Sequence, residues 1–384
     1  PKHMINKDYV KGKIVVGKPV GSHIYSCPKG YNEKYRINTR HSIGYGFNTR
    51  GWNKGWNGVW WKNGEVFDFL TPYSDFDIKF LNKYASSKNV KIIGHHETGA
   101  AIANYEKQME DAFKLYKSLG VDCIKTGYVG SRLDKKEWHH GQFGVQHYRK
   151  VVEMAAKYKI MLDVHEPVKA TGIRRTYPNM MTREGARGQE YNAWAKDGGN
   201  PPEHTTILPF TRILSGPMDF TPGIFDITIS NRQHNQVNTT LAKQLALYII
   251  LYSPLQMAAD LPKNYEGKPA FKFIKDVPVD WDDTIVLNSK IGNYVTIVRK
   301  DRNSNDWYLG SITDESSREF KINLSFLAKG KKYLAQIYAD GNKAHWKKNP
   351  LPISITQKTV DADSQLVIKL AQGGGQAIRF KAVD

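Results

Sequence analysis

VKIIGHHETGAAIANYEKQMEDAFKLYKSLGVDCIKTGYVG, residues 90–130, decides the fold. Its opening run, VKIIGHH (90–96), is apolar without alternation, as in a strand covered on both faces. From Asn104 to Leu119 the period changes, and Tyr105, Met109, Ala112, Phe113 and Tyr116 fall on one helical stripe. VDCIKTGYVG (121–130) is then a second apolar strand with its loop. Buried strands joined by single helices predict a parallel sheet with helices on its faces.

The same unit recurs downstream. A helix over Val145 to Tyr158 carries Tyr148, Val151, Val152 and Ala155 on its stripe, and KIMLDVHE (159–166) is a third strand. MMTREGARG, TTILPFTRILSGPMDFTPG (205–223) and a helical LAKQLALYIILYSPLQMAAD (241–260) continue the pattern. Polar residues gather at strand C-termini, in HHE, KTGYVG and DVHE, which favours an α/β fold of the (β/α)8-barrel type over a doubly wound sheet. Past Trp281 the texture becomes short alternating strands separated by Asn, Asp, Gly and Ser, which predicts an antiparallel β-sandwich. The expected organisation is an atypical basic segment over 1–49, a catalytic barrel over 50–280 whose first strands are atypical or incomplete, and the sandwich over 281–384.

Composition narrows the function. The 384 residues carry a formal charge of +19, which raises nucleic acid as a partner. The lysines are scattered, however, and neither zinc-finger spacing nor an RNP-type aromatic pattern accompanies them, so a basic enzyme surface is the preferred reading. Nine Trp and twenty-one Tyr, concentrated in motifs such as RGWNKGWNGVWW (50–61), suit sugar faces stacking on aromatic rings. Cys27 and Cys123 are too few for a disulfide scaffold. The longest apolar stretch, LALYIILYSPLQMAA, is broken by Pro254 and Gln256, so no membrane span is expected.

The chemistry is concentrated in Glu97, Glu166, Glu184 and Glu190, each at the end of an apolar run or in the loop after it. Glycosidic hydrolysis needs one carboxyl to protonate the leaving oxygen and another to activate water or attack carbon. Converging carboxylates beyond two call for a cation, and all-oxygen ligation favours Ca²⁺. Zinc competes through His95, His96, Glu97 and His165, although HHE lacks the spacing of a helical HExxH site. Arg183 and Arg187 stand ready to orient carboxylates, and His139, His140 and His147 read as a loop and helix surface.

HHETGAAIANYE, IKTGYVG, DVHEPVKATGIRRTYPNMMTREGARGQEYNAW, HTTILPFTRILSGPMDFTPGIF and LALYIILYSPLQMAAD occur in order. Together they resemble the catalytic barrel of glycoside hydrolase family 97, most of all its inverting, calcium-dependent α-glucosidases of starch utilisation. The resemblance implies Glu190 as general acid, Glu97 and Glu166 as the water-activating pair, and Ca²⁺ held by Glu166 and Glu184. It further implies substrate contacts from His95, His165 and Trp52, an α-linked oligosaccharide substrate and a periplasmic location. Retaining members, which are α-galactosidases, carry a nucleophilic Asp where this chain has Gly127, so inversion is expected. Two departures stand out. The resemblance leads one to expect an upstream β-sandwich that lends a further calcium ligand, which these 384 residues do not include, and Arg50 stands where an acidic substrate contact is expected before Gly51-Trp52. The competing expectations are a carbohydrate-binding remnant of impaired activity and an α-galactosidase.

Overall fold

The computed structural model describes residues 15–16, 61–62, 66–71, 77–87, 89–229 and 235–383. The chain divides into two compact units, one of Pro1–Asp8, Gly17–Ala186 and Ser215–Asp219, the other of Tyr9–Val16, Arg187–Leu214 and Phe220–Asp384. The run of C-terminal antiparallel strands starts at Trp281, where the sequence texture changes.

In the first unit, helix α1 (Ile78–Ser87) precedes strand β1 (Ile93–Glu97), helix α2 (Ile102–Ser118), strand β2 (Cys123–Gly127), helix α3 (Gln142–Lys157) and strands β3 (Met161–Val164) and β4 (Met180–Arg183). The four strands pair in parallel in the order β1-β2-β3-β4, and all their residues are buried. That burial is why the sequence shows no alternation in these runs. The stripes on α2 and α3 are buried as expected, and Tyr105, Phe113, Tyr148 and Val152 share a core with Ile124 and Leu162.

The strand order never reverses, as it would in a doubly wound sheet. Met218 continues it by bridging Arg183 in parallel, and Asp219 N–H donates to the Arg183 carbonyl at 3.0 Å. Among the described residues the parallel sheet holds these successive strands.

In the second unit, Val15–Val16 pairs in parallel with Met257–Ala258, so the basic N-terminal segment does contribute a short strand. Helix α4 (Leu241–Ile250) is buried on every side. It stops well short of residue 260 because Pro254 cannot continue it and disfavours helical backbone just before itself. The C-terminal strands are β5 (Trp281–Lys290), β6 (Tyr294–Asp301), β7 (Trp307–Thr313), β8 (Arg318–Asn323), β9 (Lys332–Asp340), β10 (Ile353–Val360), β11 (Gln365–Leu370) and β12 (Gly375–Val383). Six form an antiparallel sheet in the order β5-β6-β7-β12-β9-β10, while β8 and β11 form a second. The two sheets share a core of Leu309, Ile322, Ile368, Ile378 and Phe380, the expected antiparallel sandwich. Among the described residues no helix is long and apolar enough to cross a membrane.

Candidate active site

Register builds the site. Paired residues of neighbouring parallel strands point to the same face, so His95, Lys125, Asp163 and Thr182 form one buried row across β1 to β4. Two residues further along each strand lie Glu97, Gly127, His165 and Glu184, at the C-terminal edge where loops begin. Glu97, Glu166 and Glu184, expected at strand ends, therefore lie together in the first unit, while Glu190 belongs to the second.

Glu97 is buried at the end of β1, with Oε1 accepting from Gly99 N–H at 2.8 Å. Burial, and then the charge of Glu166, push its carboxyl up to about 8. His95 lies beside it, Nε2 to Oε2 being 3.9 Å. The pleat sends His96 to the opposite face, into a shell of Phe69, Tyr105, Phe113 and Tyr116, where burial lowers it to about 3. The zinc set that joined both histidines to Glu97 is thus split across the sheet.

Glu166 adopts a left-handed φ of 42°, costly for a side chain with a Cβ. Its surroundings impose it. Oε2 accepts from Tyr128 N–H at 2.8 Å, its own N–H donates to Glu184 Oε2 at 3.3 Å, and its carbonyl accepts from Tyr148 O–H. The same carbonyl lies 2.7 Å from His139 Nε2, while His139 Nδ1 is 2.7 Å from the Gly130 carbonyl. His139 is therefore a buried brace between two strand-end loops, and His147 is likewise buried, hydrogen-bonded to Glu106 at 2.8 Å. Of that trio only His140 lies at the surface, which corrects the surface reading.

His165 Nε2–H donates to Asp219 Oδ2 at 2.7 Å, and Nδ1 is 3.5 Å from Glu184 Oε2. Burial and Lys125 lower its pKa, yet Glu184, Asp219 and Asp163 outweigh them and raise it to about 10. Asp163, fully buried, is pushed well up by that burial and then by the charge of Asp219. One ligand atom each from Asp163, His165 and Asp219 lie within 4.8 Å of one another. Lys125, whose Nζ makes no hydrogen bond among the described residues, already brings positive charge to that group.

Glu190 belongs to the second unit, buried in the 3₁₀ turn Gln189–Ala193. There Gln189 anchors the turn through Nε2–H to the Thr221 carbonyl at 3.0 Å and to Gln244 at 2.8 Å. Arg187, expected to orient a glutamate, instead grips Asp197 in a fork at 3.1 and 3.2 Å and stacks over Tyr191 at 3.8 Å. Arg183 donates from one guanidinium nitrogen to the Val168 carbonyl at 3.5 Å. Trp52 lies outside the described residues. The sequence reading missed Lys125, Asp163 and Asp219. Lys125 and Asp163 had a signal, a charge inside an apolar strand, whereas Asp219 in PMDF had none.

Gly127 shows what its row does without a side chain. A Cβ there would meet Glu97 Oε2 at 2.0 Å and His95 Nε2 at 3.3 Å. The carboxylate of Glu97 occupies the room that a residue-127 side chain would need.

Residues 29–186 match the family described as glycoside hydrolase 97, and residues 280–381 match the glycosyl-hydrolase 97 C-terminal, oligomerisation family. A retaining alpha-galactosidase of Bacteroides thetaiotaomicron is 34% identical over 82% of this chain and 46% of its own length. A probable retaining alpha-galactosidase of Streptomyces bingchenggensis is 26% identical over 77% of the chain and 41% of its own length. A glycoside hydrolase family 97 enzyme from Pseudoalteromonas sp. strain K8 has been solved with panose and with acarbose. It superposes with a TM-score of 0.84 at 47–48% identity, over 100% of this chain and 62% of that one. The chain thus spans about half the length of the curated relatives it matches. From the two family matches and the superposition, the chain belongs to glycoside hydrolase family 97.

Proposed function

We propose that this chain forms the catalytic body of an inverting α-glucosidase acting on α-linked gluco-oligosaccharides. The observation that carries the reading is Gly127 facing Glu97: where a nucleophilic side chain would stand, the volume holds a carboxylate on a neighbouring strand. A retaining route needs a carboxylate bonded to the anomeric carbon, whereas an inverting route needs one set back behind water. The solved relative bound to panose, an oligosaccharide of α-linked glucose, supports the substrate class. The names of the curated relatives favour a retaining α-galactosidase as the second reading.

In the proposed reaction Glu190 gives its proton to the glycosidic oxygen as the bond to C1 breaks. Water enters C1 from the opposite face, losing its proton to the Glu97 and Glu166 pair. Glu97 must be ionised for this, yet burial and Glu166 hold it up to about 8. The donor set fits calcium: two carboxylates from adjacent strand ends, in need of positive charge. Ca²⁺ held by Glu166 and Glu184, when bound, would offset the charge that opposes ionisation of Glu97.

Aryl α-glucoside and α-galactoside should be offered with and without a chelator, and the first product read by proton NMR. The expected outcome is a β-anomer from the glucoside, with rates that fall on chelation. An α-anomer, or a preference for the galactoside, supports the second reading, and binding of maltooligosaccharide without turnover supports a carbohydrate-binding remnant.

A further inference from the structure

We propose that Asp219 is a positioning residue for His165, fixing the imidazole from behind so that Nδ1 faces Glu184 at the reacting edge of the sheet. The proposal rests on the hydrolase reading above for its role in turnover. The geometry stands by itself.

Asp219 comes from a segment 54 residues downstream of His165, placed beside β4 by the Met218–Arg183 bridge. It is 1% exposed, and Oδ2 accepts from His165 Nε2–H at 2.7 Å. The backbone of His165 is already fixed, its N–H donating to the Thr126 carbonyl at 2.9 Å. Only the two side-chain torsions remain, and one carboxylate bond to Nε2 sets both. The opposite ring nitrogen is then aimed at Glu184 Oε2, 3.5 Å away. Glu184 Oε2 also receives the N–H of Glu166, so a shift of the imidazole is felt at both glutamates.

A purely structural role explains the arrangement poorly. Burying a carboxylate beside a second one, Asp163, costs more than an apolar residue of the same volume would. Lys125 brings positive charge near Asp219, and His165 Nε2–H donates to it, so the carboxylate is held by the imidazole it orients. Carboxylates that take the far ring N–H of a metal-ligating histidine fix its tautomer and orientation, and their loss costs roughly 10–100-fold. The same far-nitrogen bond holds His165 here.

The test is a double-mutant cycle of Asp219→Ala and His165→Ala, with Asp219→Asn alongside. It is read as kcat/KM on aryl α-glucoside, Kd for acarbose, and the imidazole N–H signals of ¹⁵N-histidine protein. Asp219→Ala should lower kcat/KM about 10–100-fold, mostly in kcat, and remove the downfield Nε2–H signal of His165. Asp219→Asn, whose amide oxygen still accepts that proton, should recover part of both. In the His165→Ala background, Asp219→Ala should cost little more. An equal cost in both backgrounds, or an unchanged Nε2–H signal, overturns the proposal. A wild type that neither cleaves nor binds either sugar fails the hydrolase reading, and the imidazole signal then decides the positioning claim by itself.

Discussion

At the scale of single residues, the site depends on which face of a strand each side chain takes. His95 and His96 are adjacent in sequence and similar in chemistry, yet one borders Glu97 and the other is sealed among aromatic rings. Gly127 is the clearest case, because its missing Cβ leaves the Glu97 carboxylate in place. Gly127→Ala would drive that carboxylate aside, since 2.0 Å is far inside contact distance. If Glu97 activates water, a displacement of this size should lower kcat/KM on aryl α-glucoside by about 100-fold. Unchanged kinetics would mean that the carboxylate does not work from the position it holds. The glutamates were legible in the sequence because they interrupt apolar runs. The braces of the site, His139 and Tyr148 on Glu166 and Asp219 on His165, were not, because each reaches its partner from a distant loop or helix.

At the scale of elements, α2 is held to the sheet by the stripe that the 3.6-residue period exposes in the sequence. Phe113→Ala, which empties a fully buried position, should cost about 3–5 kcal/mol in denaturant unfolding. Gly94→Ala tests the opposite error. Its Cβ would meet the Tyr116 ring at 2.2 Å, so β1 and α2 would have to part, costing about 1–3 kcal/mol. A wild-type midpoint in either variant would contradict the packing described. Helix identity was legible because the stripe is local information. The end of α4 was misread, because an apolar run looks the same whether it stays helical or breaks before Pro254 to supply Met257–Ala258 to a strand. The pairing of Val15–Val16 was invisible, since its partner lies more than two hundred residues away.

At the scale of the molecule, the second unit hides a cation within its own core. Lys243 on α4 is 1% exposed, and its Nζ–H groups donate to the carbonyls of Pro202 and Thr313, both at 2.8 Å. Burial lowers its pKa to about 7, against acidic neighbours that raise it. Because the unfolded chain holds that proton up to about 10.5, folding expels it between these values. The penalty is full below about pH 7 and fades as pH rises towards 10.5. Lys243→Met removes it while leaving two carbonyls without their donor, so the Tm of the variant relative to wild type should fall between about pH 6.5 and about pH 9.5. A constant difference would show that the ammonium titrates as in water.

By itself the sequence determined the elements: parallel strands, amphipathic helices, the antiparallel strands after Trp281, and carboxylates at strand ends. These follow from periodicity and local chemistry, which a chain carries in its order. Only the tertiary structure decided which carboxylates face one another, which histidine is sealed away, that Glu97 fills the space beside Gly127, and that Asp219 stands behind His165. Those facts depend on strand register and on contacts between residues far apart in the chain, where a one-residue slip would send every side chain to the other face.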